Sequence, residues 1–254
     1  MGWPADIPAS AHLFVAAAGE LTDSVDVAGE DGHHLARVLR LRTGEIVTVA
    51  DGAGWWRPYR VAGVGAGVRL DATAGPEHEP TPSPGLAVAF ALTKGDKPEL
   101  VVQKLTELGV DRIVPVVAER SVARLDAGRA STALERWRRI AREAARQCRR
   151  ATLPTVEELR PLSELAGHPG LVVAERGGRP AEATGAPPGG EILVVVGPEG
   201  GLAEAEVDAL APWARLDLGP HVLRAETAAL AAAALLAARR HAALRGASGG
   251  GGAG

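Results

Sequence analysis

Two stretches in the last third of the chain constrain its fold most, because each reads as a buried strand, a loop rich in Gly and Pro, and a helix. They span residues 194–201 and 216–227. In an open α/β sheet such loops follow the carboxyl ends of strands, where these sheets bind ligands. Glycine lets the backbone approach a ligand closely, and the free N–H groups of the following helix favour an anionic group. The two loops together predict one ligand pocket.

The pattern of the chain changes at a Pro-rich break over residues 74–85, which is predicted to be an extended linker. Residues 1–73 hold short strands and turns, among them the hairpin signal Asp51-Gly52, and predict a small β-barrel. Residues 86–245 alternate helices with predicted strands at 86–92, 112–117, 171–174, 192–196 and 215–218, which predicts a parallel sheet covered by helices. The Gly-rich residues 246–254 are expected to form a disordered tail. The predicted helices are 32–40, 96–108, 134–150, 202–210 and 224–244.

Composition excludes several classes of protein. The single cysteine, Cys148, excludes a disulfide framework and a multi-cysteine metal site. His33 and His34 are adjacent, so their side chains point apart and we expect no metal. The Ala/Leu run 228–238 is shorter than the roughly 20 apolar residues that span a bilayer, and the first ten residues lack a signal-peptide pattern. We therefore expect no membrane segment and a cytoplasmic location.

A basic helix is predicted over residues 134–150. On a helical wheel Trp137, Ala141 and Cys148 share an apolar face, whereas arginines cover the opposite face with Glu143 as the one acidic residue among them. Residues 94–150 carry 14 Lys and Arg against 8 Asp and Glu, although the whole chain has a net charge of −3. The arginine face is either solvated or binds phosphate. The scarcity of acidic residues favours phosphate, which arginine holds through two parallel hydrogen bonds.

Seven short blocks of sequence stand out along the chain. They are His34–Arg40 with Gly44, Lys94–Lys97, Gln103–Val110, Glu119–Ser121, Trp137 with Ile140, Glu143, Ala144 and Gln147, Gly197–Gly201, and Leu218–Ala228. Singly these blocks are weak signals. Together, in this order from about residue 12 to about residue 240, they resemble the RsmE-type 16S rRNA (uracil-N3) methyltransferases of the SPOUT superfamily.

The resemblance implies an α/β fold in which a SPOUT-type parallel sheet with a trefoil knot follows a small PUA-like β-barrel that binds RNA. It also implies a homodimer that methylates N3 of a uridine in 16S rRNA of the small ribosomal subunit, with S-adenosylmethionine as the methyl donor and no metal. Residues 177–190 look unconstrained, so we assign no site to them. The implied cofactor-binding residues are Gly197, Pro198, Glu199, Gly200, Gly201, Leu218, Gly219 and Leu223.

Methylation of uridine N3 sets a chemical requirement, because that nitrogen carries a proton and is a poor nucleophile until the proton leaves. The site needs a general base, or a cation that stabilises the uracil anion. Arg224 is our candidate for contact with the uracil charge or with the cofactor carboxylate. Glu226 is our candidate for the base or for a residue that orients Arg224. The alternative for this pair is a favourable charge at a helix N-terminus and a local ion pair.

The sequence also predicts residues that contact RNA, each of which could instead be solvated surface. Trp55 and Trp56 either stack on bases or belong to the core of the barrel. The alternative functions are methylation of another RNA or another atom, and RNA binding without catalysis; a nucleotide-binding oxidoreductase lacks the Gly-x-Gly-x-x-Gly motif. The predicted RNA-binding residues are Arg37, Arg40, Arg42, Lys94, Lys104, Arg120, Arg142, Arg146, Arg149 and Arg150.

Overall fold

The computed structural model describes residues 2–15, 18–93, 95, 97–123, 125–184, 187 and 190–249. The chain divides into two compact units, each with its own sheet. The first unit comprises Met1–Thr81 and Arg142–Leu153, and the second comprises Pro82–Ala141 and Pro154–Gly254. Sequence reasoning expected a division at the linker and missed the return of the segment 142–153 to the first unit.

The first unit is a six-stranded sheet, in which five short strands lie within the predicted barrel region and the sixth lies in the expected linker. The elements are β1 (Ala11–Phe14), β2 (Ser24–Val27), α1 (Gly29–His33), β3 (Ile46–Ala50), β4 (Trp55–Val64), β5 (Val68–Ala72) and β6 (Glu77–His78). The sheet order is β1-β3-β4-β5-β2, with β6 beside β4, and β1 is parallel to β3 while the other pairs are antiparallel. The predicted hairpin turn joins β3 to β4, where Asp51 Oδ1 accepts hydrogen bonds from the backbone of Ala53 and Trp55.

The two adjacent tryptophans face opposite sides of β4, as alternation along a strand requires. Trp56 is 1% exposed and belongs to the core of the first unit together with Phe14. Trp55 is 43% exposed and packs edge-on against His78. Of the two alternatives for this pair, the core position is therefore confirmed for Trp56. Trp55 presents an aromatic surface to solvent.

The second unit alternates strands and helices. Its elements are β7 (Gly85–Ala91), α2 (Lys97–Glu107), β8 (Arg112–Val117), α3 (Ala127–Cys148, whose last turns belong to the first unit), β9 (Thr155–Val156), β10 (Arg160–Pro161), β11 (Leu171–Arg179), β12 (Glu191–Val196), α4 (Glu204–Leu210), β13 (Ala214–Leu216) and α5 (Ala225–Gly249). The sheet order is β10-β8-β7-β12-β11-β13, with β9 beside β8, and all these pairs are parallel.

The parallel sheet is buried on both faces, as parallel sheets generally are. In β7 the residues Leu86, Val88 and Phe90 pack into one core cluster, together with α2, α3 and α5. The alternate alanines 87, 89 and 91 pack on the other face, where α4 contributes Val207 and Leu210. The predicted α/β class with a parallel sheet is confirmed. The trefoil knot stays a prediction.

Three expectations from the sequence were wrong. Residues 246–249 continue the Ala-rich helix α5 and are not a disordered tail, while residues 250–254 lie outside the described residues. Helix α3 begins seven residues earlier than expected, because the backbone N–H of Arg129 bonds to Asp126 Oδ1 and caps the helix. The expected linker contains a strand, β6, and a buried carboxylate, Glu79.

Buried polar groups of the first unit hold the backbone that follows α3. Glu79 Oε2 accepts hydrogen bonds from the backbone N–H of Ala151 at 2.7 Å and of Thr152 at 2.9 Å. His12 lies between Thr48 Oγ1 at 2.7 Å and the carbonyl oxygen of Arg150 at 2.9 Å. Since buried backbone groups need partners, these contacts fix the segment 150–152 within the first unit.

His12 predicts a pH dependence of stability. Burial lowers the pKa of its imidazole from 6.5 to about 4, with the charges of Arg149 and Arg146 acting in the same direction. The unfolded chain therefore binds this proton more readily, so the contribution of His12 is complete above pH 6.5 and is lost as the pH falls towards 4. We expect the free energy of unfolding to fall by about 3 kcal/mol over this range. Urea unfolding of the wild type and of His12→Gln at several pH values measures this change. The free energy of unfolding should depend less on pH in the variant than in the wild type. The same pH dependence in both proteins would contradict the assignment.

Candidate active site

The carboxyl ends of three neighbouring strands, β12, β11 and β13, surround a cavity of about 330 Å³. Both loops that the sequence singled out line this cavity. Its volume falls within the usual range for small-molecule sites. The residues that line it are Val173–Arg176, Val196–Glu199, Gly201, Leu202, Val207, Asp217–Gly219, His221–Leu223, Ala225 and Ala228.

The first loop follows β12 and turns tightly at its glycines. A Cβ on Gly197 would lie 3.0 Å from Leu202 Cγ and 3.1 Å from the Leu202 backbone nitrogen, so the loop closes on itself at that point. Gly201 has a φ of +69°, and its N–H donates to the Pro198 carbonyl oxygen at 2.8 Å. The glycines of this loop therefore form a compact turn whose backbone faces the cavity.

The second loop follows β13 and leads into α5. Asp217 Oδ1 accepts a hydrogen bond from the Gly219 N–H at 2.9 Å, and Gly219 has a φ of +121°, a conformation that side chains with a Cβ rarely adopt. Val222, which also lines the cavity, is 79% exposed. The Arg224 carbonyl oxygen accepts the first helical hydrogen bond, from Ala228. The loop thus depends on one glycine and one aspartate for its shape.

Strand β11 forms a third wall of the cavity, which sequence reasoning missed. The strand was predicted only over residues 171–174, and residues 177–190 were judged unconstrained. In the structure β11 continues to Arg179, and a Cβ on Gly178 would lie 2.7 Å from backbone atoms of Arg215. The available signal was the strand itself, because its carboxyl end must lie at the same edge of a parallel sheet as the two loops.

Seven of the eight predicted cofactor-binding residues line the cavity, and Gly200 instead faces Arg120. A Cβ on Gly200 would lie 3.5 Å from Arg120 Cβ. Arg120 Nη1 donates a hydrogen bond to the Gly200 carbonyl oxygen at 3.1 Å. Arg120, which the sequence suggested for RNA contact, therefore supports the first loop from outside. The seven lining residues are Gly197, Pro198, Glu199, Gly201, Leu218, Gly219 and Leu223.

The two predicted catalytic residues have different surroundings. Arg224 is exposed and makes no ion pair within the described part of the chain. Glu226 is not paired with Arg224 there; its Oε1 lies 3.4 Å from Lys97 Nζ, and its side chain is 14% exposed. Lys97 Nζ also lies 3.3 Å from Glu199 Oε1. Lys97 is thus a member of the site that the sequence analysis overlooked, although it lies inside a block that carried the resemblance.

Two arginines of the segment 142–153 donate hydrogen bonds to backbone carbonyl groups elsewhere in the first unit. Arg142 donates to the Phe14 carbonyl oxygen and stacks over its ring, and Arg149 donates to the carbonyl oxygens of Ile7 and Ala9. Charge pattern alone could not reveal these carbonyl partners. Two other predicted RNA-binding residues form ion pairs, Arg146 with Glu143 and Lys104 with Glu107. Arg150 is half-buried, whereas Arg37, Arg40 and Arg42 are exposed in the first unit. Lys94 lies outside the described residues.

Comparison with known proteins decides the family. The RNA methyltransferase domain family matches residues 80–237, and the RNA methyltransferase PUA domain matches residues 27–67. The ribosomal RNA small subunit methyltransferase E of Mycobacterium tuberculosis is 36% identical over 214 residues, covering 80% of this chain and 82% of that protein. That of Bacillus subtilis is 32% identical over 226 residues, covering 83% and 88%. The chain belongs to the ribosomal RNA small subunit methyltransferase E family.

Solved structures agree with this family. The ribosomal RNA small subunit methyltransferase E of Neisseria gonorrhoeae, bound to S-adenosylmethionine, has 29% identity and a TM-score of 0.74, covering 88% of this chain and 95% of that one. A Legionella pneumophila structure that holds the bound cofactor S-adenosylmethionine has 27% identity and a TM-score of 0.77, covering 92% and 98%. The implied PUA-like unit and methyltransferase unit are thus both confirmed.

Within the described residues, no helix is both long and apolar enough to cross a membrane. No group of three or more His, Cys, Asp or Glu side chains in that part of the chain is arranged to hold a metal ion.

Proposed function

We propose that this protein transfers a methyl group from S-adenosylmethionine to N3 of a uridine in 16S rRNA of the small ribosomal subunit. The observation that carries the proposal is the cavity bounded by the two loops, in a chain of the methyltransferase E family. Family relatives are named for the small-subunit rRNA on which they act, and a relative's structure holds the cofactor.

The cavity suits S-adenosylmethionine chemically. Val173, Leu218 and Leu223 offer apolar surface for an adenine ring, and the glycine-rich turns expose backbone groups for its polar edges. Glu175 on β11 and Glu199 in the first loop also line the cavity, and carboxylates favour the cationic groups of the cofactor. When bound, S-adenosylmethionine supplies an electrophilic methyl group. The residues of the chain hold the uridine beside it, and orientation of this kind contributes several kcal/mol to a rate enhancement.

Uridine N3 must lose its proton before it reacts, so negative charge develops on the uracil ring. Arg224 follows Leu223, which lines the cavity, and its side chain is exposed. We propose that Arg224 stabilises the charge on the uracil oxygens. Glu226 remains the alternative candidate that would accept the proton or orient a neighbouring cation.

The Arg224 role predicts a specific kinetic change. Arg224→Ala should lower kcat by about 100-fold, because removal of one donor to a developing oxyanion has effects of that size. The KM for S-adenosylmethionine should stay within about twofold, and Arg224→Lys should recover part of kcat. Steady-state methyl transfer with each substrate varied separately measures both constants. A raised KM for the cofactor with unchanged kcat would assign Arg224 to the cofactor carboxylate instead.

We further propose that the protein acts as a homodimer. Leu100 on α2 is 43% exposed and Leu235 on α5 is 39% exposed, and these two helices pack against each other. A pair of exposed leucines on adjoining helices favours contact with a second copy. Light scattering coupled to gel filtration should give a mass of about twice 26.1 kDa. A monomeric mass at micromolar concentration would contradict the proposal.

Primer extension along 16S rRNA tests the proposed target atom. A methyl group on N3 removes the donor that uridine uses in base pairing, so reverse transcriptase should stop one nucleotide before the modified uridine. The rRNA of unmodified small subunits is probed before and after incubation with the protein and S-adenosylmethionine. One new stop next to a uridine is expected. Methyl incorporation without any new stop would place the methyl group on another atom.

A further inference from the structure

We propose that Lys97 is a positioning residue that holds the first loop of the cofactor cavity against the start of α5, by sharing its ammonium group between two carboxylates. Lys97 Nζ lies 3.3 Å from Glu199 Oε1 and 3.4 Å from Glu226 Oε1. Lys97 itself lies outside the wall of the cavity, so it acts through its partners. The inference rests on the proposed use of S-adenosylmethionine and concerns how the chain prepares the site for it.

The three residues belong to three different elements. Lys97 is the first residue of α2, Glu199 lies in the loop after β12, and Glu226 lies in the first turn of α5. Glu199 lines the cavity, and so does Ala225, the neighbour of Glu226. One ammonium group therefore connects the first loop to the first turn of α5, which the second loop enters.

The burial of Glu226 makes this connection costly to lose. Its side chain is 14% exposed, and its Oε2 is buried without a hydrogen-bond partner in the described part of the chain. Among the described residues, Lys97 is the cation that pairs with this carboxylate. Without Lys97 a buried negative charge would remain uncompensated, next to a second negative charge on Glu199. The loops would then move apart or reorganise to hydrate Glu226.

The same geometry argues for the role of Glu226. One of its oxygens is occupied by Lys97, and the other is shielded from solvent. A general base must reach the proton that it removes, directly or through one water. Glu226 is therefore better placed to hold Lys97, and with it the first loop, than to take the uridine proton. Loops that are already ordered lose less entropy when the cofactor binds.

The test is the dissociation constant of S-adenosylmethionine, measured by isothermal titration calorimetry on the full chain. Lys97→Met keeps the length of the side chain and removes its charge, and we expect about a tenfold loss of affinity. Lys97→Arg should stay within about threefold of the wild type. The matched control is Arg136→Met, which likewise removes the positive partner of a carboxylate. Arg136 on α3 lies 2.7 Å from Glu99, which is in the first turn of α2 as Lys97 is. This control should bind the cofactor as the wild type does.

Two further variants keep the proposal testable if Lys97→Met folds poorly. Glu199→Gln breaks one contact of Lys97 at a half-exposed site and should weaken binding about threefold. Adding Lys97→Met to a Glu226→Gln background should cost less than tenfold, because the buried charge is then absent. Wild-type affinity in Lys97→Met, or an equal loss in Arg136→Met, would overturn the proposal. Because the readout is cofactor affinity, a failure to methylate N3 would refute the proposed function without altering this result.

Discussion

Replacing Gly178 with alanine should destabilise the second unit by about 3 kcal/mol. The added Cβ would lie 2.7 Å from the carbonyl carbon and oxygen of Arg215 and 2.9 Å from the backbone nitrogen of Asp217. These are backbone atoms of β13 and of the loop that follows it, and they cannot rotate away as a side chain could. The Asp217 N–H also donates to the Arg179 carbonyl oxygen at 2.9 Å, so the two strands are held at this distance.

Urea unfolding measures the loss of stability in Gly178→Ala, and the neighbouring variant Gly177→Ala is the control. Gly177 has a φ of +76° but nothing within 4 Å of its Cβ position, so alanine there should cost only about 1 kcal/mol of backbone strain. The larger loss at Gly178 should also weaken cofactor binding, because β13 carries the second loop. Equal stability of the two variants would mean that β11 and β13 do not approach each other so closely at Gly178.

Replacing Gly219 with valine should weaken the binding of S-adenosylmethionine by at least about tenfold. Gly219 has a φ of +121°, which a β-branched residue adopts only with strain, and the backbone of the loop would have to change to relieve it. The change would break the bond from Gly219 to Asp217 and would move Leu218 and Leu223, which line the cavity. The fold should survive, since the loop lies at the surface.

Gly75→Val is the control for the valine substitution. Gly75 is exposed, has no positive φ and has nothing within 4 Å of its Cβ position, so valine should be tolerated there. Calorimetry should give the wild-type dissociation constant for this variant. If Gly219→Val also kept the wild-type value while circular dichroism showed an intact fold, the second loop would have no part in holding the cofactor.

Much of the second unit could be predicted because its local pattern and its tertiary structure agree. The run 112–117 is apolar after Arg112 and forms β8 over the predicted residues. The wheel for α3 identified Trp137 and Ala141 as buried, and they are 4% and 2% exposed. Glycine-rich loops after strands located both loops of the cavity. In each case a short stretch of sequence carries the whole signal.

The remaining features depend on contacts between residues distant in sequence. Nothing local indicates that Arg149 bonds to carbonyl groups of residues 7 and 9, or that Glu79 bonds to residue 151. The third wall at β11 follows from the order of strands in the sheet, which periodicity does not reveal. Lys97 is likewise an ordinary lysine in sequence, and its two carboxylate partners lie 102 and 129 positions away.

The central claim is that this chain methylates uridine N3 in the rRNA of the small subunit. The most direct measurement incubates the purified protein with unmodified small ribosomal subunits and S-adenosylmethionine carrying a labelled methyl group. The rRNA is then digested to nucleosides, which are identified by mass spectrometry against standards. The account predicts that the label elutes as N3-methyluridine. Label in any other nucleoside, or no label in rRNA from a protein that binds the cofactor, would contradict it.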